Sequence, residues 1–118
     1  MAQGTISNIS GGSGSTTNGY YLMSPDGTLF QWGRVSVKTT ASTGNSYHPY
    51  YGSATVTFPV AFAGDAPRLF TNVMANASWW TSGTSLTAPT LTTAEVSIGG
   101  DANNTTYTVN WIAVGRWK

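Results

Sequence analysis

The last strong pattern in the chain decides the fold: residues 107–117 read YTVNWIAVGRW. Apolar side chains occupy both sets of alternating positions, with Trp111 and Ala113 on one face and Ile112 and Val114 on the other. Alternation with a period of two predicts a β-strand. A strand that is apolar on both faces is either central in a sandwich or part of a subunit interface.

The same alternation recurs upstream and predicts five more strands, at residues 19–23, 28–38, 53–58, 68–77 and 90–98. Turn signals separate them, such as Ser24-Pro25-Asp26-Gly27, where proline presets the backbone for a reversal. Phe30 and Trp32 mark even positions while Val35 and Val37 mark odd ones, so we expect a β-bulge at Gly33 to reconcile the phases. No segment has a helical period. The sequence therefore predicts an all-β fold, a small antiparallel β-sandwich.

Composition excludes several classes of protein. The 118 residues carry few charges (8%) and a net charge of +1, which leaves no basic patch for nucleic acid. The absence of cysteine excludes disulfide scaffolds and thiolate metal sites. No apolar run approaches the roughly 20 residues of a membrane helix, and no leader pattern opens the chain, so we expect no membrane insertion. Low charge also permits tight oligomers.

The composition changes near residue 19. Residues 11–18 are Gly, Ser, Thr and Asn without one apolar side chain, which is typical of a flexible linker. We therefore predict a flexible tether or shaft junction over residues 1–18 and one β-sandwich domain over residues 19–118.

Three groups of residues, taken in order, resemble a known family. They are Phe30-Gln31-Trp32-Gly33, then VTFPVAF at 56–62 leading into Ala66-Pro67-Arg68-Leu69, and finally WIAVGRW at 111–117. Over residues 19–118 this order resembles the C-terminal tip domain of bacteriophage tail fibres.

The resemblance carries implications of its own. Such tips are similar to H-type lectins: small antiparallel β-sandwiches that assemble as parallel homotrimers and bind carbohydrate on the bacterial surface, such as lipopolysaccharide. It implies a non-enzymatic protein of the virion, made in the host cytoplasm. The His-x-His motif of iron-binding fibre tips is missing, so that metal site does not carry over, and sugar contacts cannot be transferred residue by residue.

Aromatic residues within polar loops are the best functional signal in the residues themselves. Aromatic faces stack on sugar rings, and short polar side chains bond the hydroxyl groups. We predict a receptor site on three loops, formed by Tyr47, His48, Tyr50, Trp79, Trp80, Asp101, Asn103 and Asn104. An alternative interpretation is that these rings pack at the ends of the sandwich or between subunits.

Chemistry other than binding has little support. Asp26 and Asp65 lie in turns and Glu95 points outward from a strand, so no pair of carboxylates is expected to converge for acid–base work. The single histidine, His48, could hold a metal only on a threefold axis. We expect no enzyme activity and no cofactor.

Three functions remain open at this stage. The leading one is a trimeric adhesin at a fibre tip that attaches the virion to a surface glycan. The alternatives are a structural domain that trimerises a fibre without touching the receptor, and a free-standing lectin. Trp111 and Trp117 are expected in the core or in the trimer interface under any of them.

Overall fold

The computed structural model describes residues 11–40, 50–74, 81–82, 88–100 and 102–118. Within these ranges the chain forms eight strands: β1 (Gly12–Thr16), β2 (Gly19–Met23), β3 (Thr28–Lys38), β4 (Tyr50–Thr57), β5 (Arg68–Met74), β6 (Thr81–Ser82), β7 (Thr93–Gly100) and β8 (Thr106–Arg116). No helix occurs among the described residues, and hence none that could span a membrane.

The strands form two antiparallel sheets. One has five strands in the order β1-β2-β3-β8-β5, and the other has three in the order β4-β7-β6. In the larger sheet β3 and β8 pair without interruption from Thr28 opposite Arg116 to Lys38 opposite Thr106. The predicted all-β antiparallel fold is confirmed, and the closing segment is a central strand of its sheet.

The core lies between the two sheets. The smaller sheet contributes Ala94, Val96 and Ile98 to it, as their alternation predicts. From the larger sheet comes Trp111, which is 3% exposed and whose ring centroid lies 5.8 Å from that of Phe58. Trp117 is buried as well, so both C-terminal tryptophans belong to the core of a single chain.

The predicted bulge at Gly33 is wrong. The pairing of β3 keeps one register along its whole length, and its odd positions face the core throughout. Gly33 is small for another reason: a Cβ there would lie 3.0 Å from Cζ2 of Trp111, whose indole packs across it. The polar residue Gln31 occupies one of the inward positions of β3. Its side chain can be fully buried because both of its polar atoms have partners. Nε2 donates to the Val60 carbonyl (2.7 Å), and Oε1 accepts from the Val60 N–H (2.8 Å).

The predicted tether over residues 1–18 also needs correction. Residues 12–16 form β1, an edge strand that pairs with β2 from Gly12 opposite Met23 to Thr16 opposite Gly19. Backbone hydrogen bonds need no apolar side chain, so a Gly/Ser sequence can extend a sheet when a neighbouring strand offers its free edge. Residues 1–10 lie outside the described residues.

Candidate functional site

One end of the sandwich gathers the strand ends that flank all three predicted loops. Lys38 and Tyr50 flank residues 41–49, and Gly100 and Thr106 flank the turn near residue 103, while Met74 precedes residues 75–80. Register places these ends together: Met74 pairs with Thr108, Lys38 with Thr106, and Tyr50 with Gly100. We call this the loop end.

Thr39 connects the two sheets at the loop end. Its buried hydroxyl donates to the Ala102 carbonyl (2.7 Å) and accepts from the Thr105 N–H (3.1 Å). Its backbone carbonyl accepts from the Asn104 N–H at 2.7 Å. The neighbouring Thr40 N–H donates to the Tyr51 carbonyl at 3.1 Å, which ties β3 to the start of β4.

The turn held by Thr39 presents two asparagines. Asn103 and Asn104 are both exposed. Asn104 has φ 56°, a left-handed conformation that asparagine adopts more readily than most residues other than glycine. The two amides are therefore carried on a fixed backbone, as expected of a binding turn.

Of the other predicted site residues, the structure describes only Tyr50. Tyr50, predicted on a loop, is instead the first residue of β4 and is half-buried, because the β4–β7 ladder extends to Gly100. Tyr47, His48, Trp79, Trp80 and Asp101 lie outside the described residues. The structure thus brings Tyr50, Asn103 and Asn104 to one end of the molecule.

The opposite end, which we call the turn end, carries the Ser24–Gly27 turn. The Gly27 N–H donates to the Ser24 carbonyl (3.0 Å), and the buried Trp117 donates from Nε1 to the same carbonyl (2.7 Å). A backbone N–H bond from Thr28 to Asp26 Oδ1 (2.9 Å) lowers the pKa of that exposed carboxyl, with smaller contributions from the Thr28 side chain and the cations of Arg116 and Lys118. The first described residue, Gly11, packs against the backbone of Met23 and Ser24, so residues 1–10 join the domain here.

A second surface was missed by sequence reasoning. On the outer side of the five-stranded sheet, Tyr20, Trp32, Ile112 and Phe70 lie opposite one another in a single row across four strands. The adjacent row contains Leu22, Phe30 and Val114. We call these seven residues the apolar face. The even positions of residues 28–32 were the available signal, but the expected bulge assigned them to the core.

The two aromatic rings of the long row are packed together. Tyr20 and Trp32 are stacked, with ring centroids 5.8 Å apart and planes inclined by 17°. Beside them a cleft of about 830 Å³ opens past the β1–β2 turn, and Asn18, Arg34 and Asn110 line it too. Asn110 donates from Nδ2 to Oδ1 of Asn72 (3.0 Å), so the face has a polar margin toward the loop end.

The acidic residues in the described ranges are Asp26, Asp65 and Glu95. Asp26 and Asp65 are exposed, and Glu95 is on the outer side of the three-stranded sheet. No group of three or more His, Cys, Asp or Glu side chains that could hold a metal occurs within these ranges. The described residues of the loop end and the cleft offer aromatic packing, hydrogen bonding by neutral groups and the guanidinium of Arg34.

Comparison with known sequences assigns the family. Residues 22–116 match the family described as "Putative tail fiber protein gp53-like, C-terminal". Since the match spans most of the chain, the protein belongs to this family of tail-fibre C-terminal domains. The resemblance seen in the sequence is confirmed. No curated protein sequence matches the chain.

A solved structure has a similar fold. The N-truncated R2-type pyocin tail fibre superposes with a TM-score of 0.57 at 22% sequence identity. The match covers 90% of this chain and 37% of that fibre chain. The fold found here is thus one that a tail fibre uses for part of its length.

Proposed function

We propose that this tail-fibre domain is the receptor-binding tip, a non-enzymatic homotrimer that attaches the virion to a carbohydrate on the bacterial surface, such as lipopolysaccharide. The observation that carries the proposal is the separation of the two ends. The strand ends flanking the three polar loops, two of which contain aromatic residues, meet at the loop end, whereas residues 1–10 join the domain at the turn end. A fibre attached at the turn end would present the loop end outward.

The chemistry at the loop end suits a neutral sugar. Asn103 and Asn104 offer amide donors and acceptors on a turn that Thr39 fixes, and the backbone need not reorganise on binding. Binding groups on loops of a rigid β scaffold are a common arrangement. Three copies in one fibre would add avidity, so each site can be weak.

A second candidate function is a structural domain that trimerises the fibre without touching the receptor. The apolar face favours it, because that face supplies a surface for assembly whether or not the loop end binds anything. The two candidates differ only in the role of the loop end.

A binding experiment separates them. The purified chain is applied to an array of bacterial lipopolysaccharides and polysaccharides, beside an Asn103→Ala variant and an Asp65→Ala control at the turn end. We expect saccharide binding by the parent and the control, and a loss of about tenfold or more in Asn103→Ala because three sites are weakened together. Both positions are exposed, so melting temperature should not change.

Two results would contradict this proposal. A folded trimer that binds no saccharide on the array would favour the structural candidate. Binding that survives in Asn103→Ala, in Tyr50→Ala and in Trp79→Ala would move the receptor site away from the loop end.

A further inference from the structure

The apolar face leaves a contiguous hydrophobic surface exposed in the part of the chain that the structure describes. Five of its seven residues are between 38% and 57% exposed: Tyr20, Leu22, Trp32, Phe70 and Ile112. Since a large aromatic side chain covers 150–250 Å², these five leave on the order of 500 Å² of apolar surface in water. That is within the range of the largest patch on a typical monomer, and a patch of this size is often functional.

The neighbouring groups are those of a protein interface. Ser13 and Ser15 of β1 lie beside Leu22 and Tyr20, and Arg34, Asn110 and Asn72 form the next row toward the loop end. An apolar centre with a polar margin is the usual anatomy of an interface. A stable interface buries roughly 800 Å² from each partner, so the apolar face would supply more than half of that area and the polar margin the remainder.

We infer that the apolar face is the surface on which copies of this chain assemble. The proposal rests on the homotrimer proposed above and gives its interface. The seven apolar residues carry no charge, and Arg34 and Arg68 lie at the margins, so a second copy can approach without a buried like-charge pair. A saccharide would need several hydrogen-bonding groups among the rings, and the side chains of the two apolar rows offer only the hydroxyl of Tyr20 and the indole N–H of Trp32.

The position of the face also agrees with a working fibre tip. It runs along the side of the sandwich, over the halves of β3 and β8 nearer the turn end, and the row of Trp32 and Ile112 is six residues from the loop-end pair Lys38 and Thr106. Assembly through it leaves Asn103 and Asn104 free in every copy. A parallel threefold arrangement would then point three loop ends in the same direction, which is the geometry that avidity requires.

Thiol labelling tests the interface directly, because the chain has no cysteine of its own. Ile112→Cys places one thiol in the apolar face, and Thr55→Cys places a matched thiol on the exposed outer side of the three-stranded sheet. Each full-length variant is reacted with a maleimide in buffer without saccharide, and its mass is measured by light scattering.

We expect both variants to have three times the 12.4 kDa of one chain. The Ile112→Cys variant should label about tenfold more slowly than Thr55→Cys, and dilution below the dissociation concentration should remove the difference. An Ile112→Cys variant that is monomeric beside a trimeric Thr55→Cys variant would support the same interface. Equal labelling rates in two trimers, or two monomeric variants, would overturn it.

Adding saccharide to the labelling reaction distinguishes a subunit interface from a ligand site. If lipopolysaccharide must be added before Ile112→Cys is protected, the face is a ligand site and the interface proposal fails. If Ile112→Cys is protected without saccharide but the parent binds nothing on the array, the interface stands and the receptor-binding proposal fails.

Discussion

The outer faces of the two sheets differ in polarity: that of the five-stranded sheet carries a row of apolar side chains, and that of the three-stranded sheet is mostly polar. That of the five-stranded sheet carries Tyr20, Trp32, Ile112 and Phe70 in one row. That of the three-stranded sheet carries Ser53, Thr55 and Thr57 along β4, and Glu95 and Ser97 along β7, with Tyr51 as its exposed aromatic residue among those described. Both sheets bury their inner faces in the same core.

The contrast separates two reasons for a strand to be apolar. The inward residues of both sheets are largely apolar because the domain must fold. Four outward residues of β3 and β8, namely Phe30, Trp32, Ile112 and Val114, are apolar although they remain partly exposed among the described residues. A strand such as β8 therefore has an inner face that packs in the core and an outer face that is available to another chain. Substitutions on these two faces should have different consequences.

The largest effect is expected on the inner face of β8. Trp111→Ala removes an indole that is 3% exposed and contacts Phe58, so it should lower the free energy of unfolding by about 3–5 kcal/mol. Its neighbour Ile112→Ala should cost less than about 1 kcal/mol within one chain, because Ile112 points outward. Chemical denaturation at a concentration where the chain is monomeric measures both, and equal losses would contradict the assignment of the two faces.

The buried amide of β3 comes next. Gln31→Leu leaves the N–H and carbonyl of Val60 without partners, at a cost of about 1–3 kcal/mol for each group. Gln31→Glu is the control: burial raises the pKa of its carboxyl, and only the protonated form can donate to the Val60 carbonyl. Its stability should rise as pH falls through that raised pKa, and a flat pH profile would argue against the paired hydrogen bonds.

A matched aromatic pair tests the outer faces themselves. Trp32 is 40% exposed on the apolar face, and Tyr51 is 38% exposed on the polar one. Trp32→Thr should weaken the oligomer, and loss of its stacking with Tyr20 should cost a chain about 0.5–1.5 kcal/mol. Tyr51→Thr should leave the mass unchanged. Sedimentation over a dilution series measures the difference, and equal dissociation of both variants would remove the distinction between the faces.

The smallest effect is expected at the turn end, away from both faces. The pKa of Asp26 is lowered in the folded chain by the Thr28 N–H. Its contribution to stability is therefore present above the ordinary carboxyl pKa of about 4 and is lost as pH falls through the lowered value. Asp26→Asn keeps an acceptor for Thr28 at every pH. Its melting temperature should fall slightly less on acidification than that of the parent, and identical falls would show that Asp26 contributes nothing.

Much of the fold could be predicted because its causes are local. Alternation in residues 94–98 and the turn chemistry of residues 24–27 depend on neighbours in the sequence, and both were predicted correctly. The burial of Trp111 followed from the apolar pattern around it. In the candidate site, the polar turn with Asn103 and Asn104 was also identified from composition alone.

What only the tertiary structure decided depends on residues far apart in the chain. Gly33 is explained by Trp111, Gln31 by Val60, and Tyr50 by its pairing with Gly100. The row from Tyr20 to Phe70 exists only because strands remote in sequence pair in one register. Alternation in the sequence shows that a strand has two faces. Which of the two faces is buried depends on the side on which the second sheet packs, and that is decided only in the assembled fold.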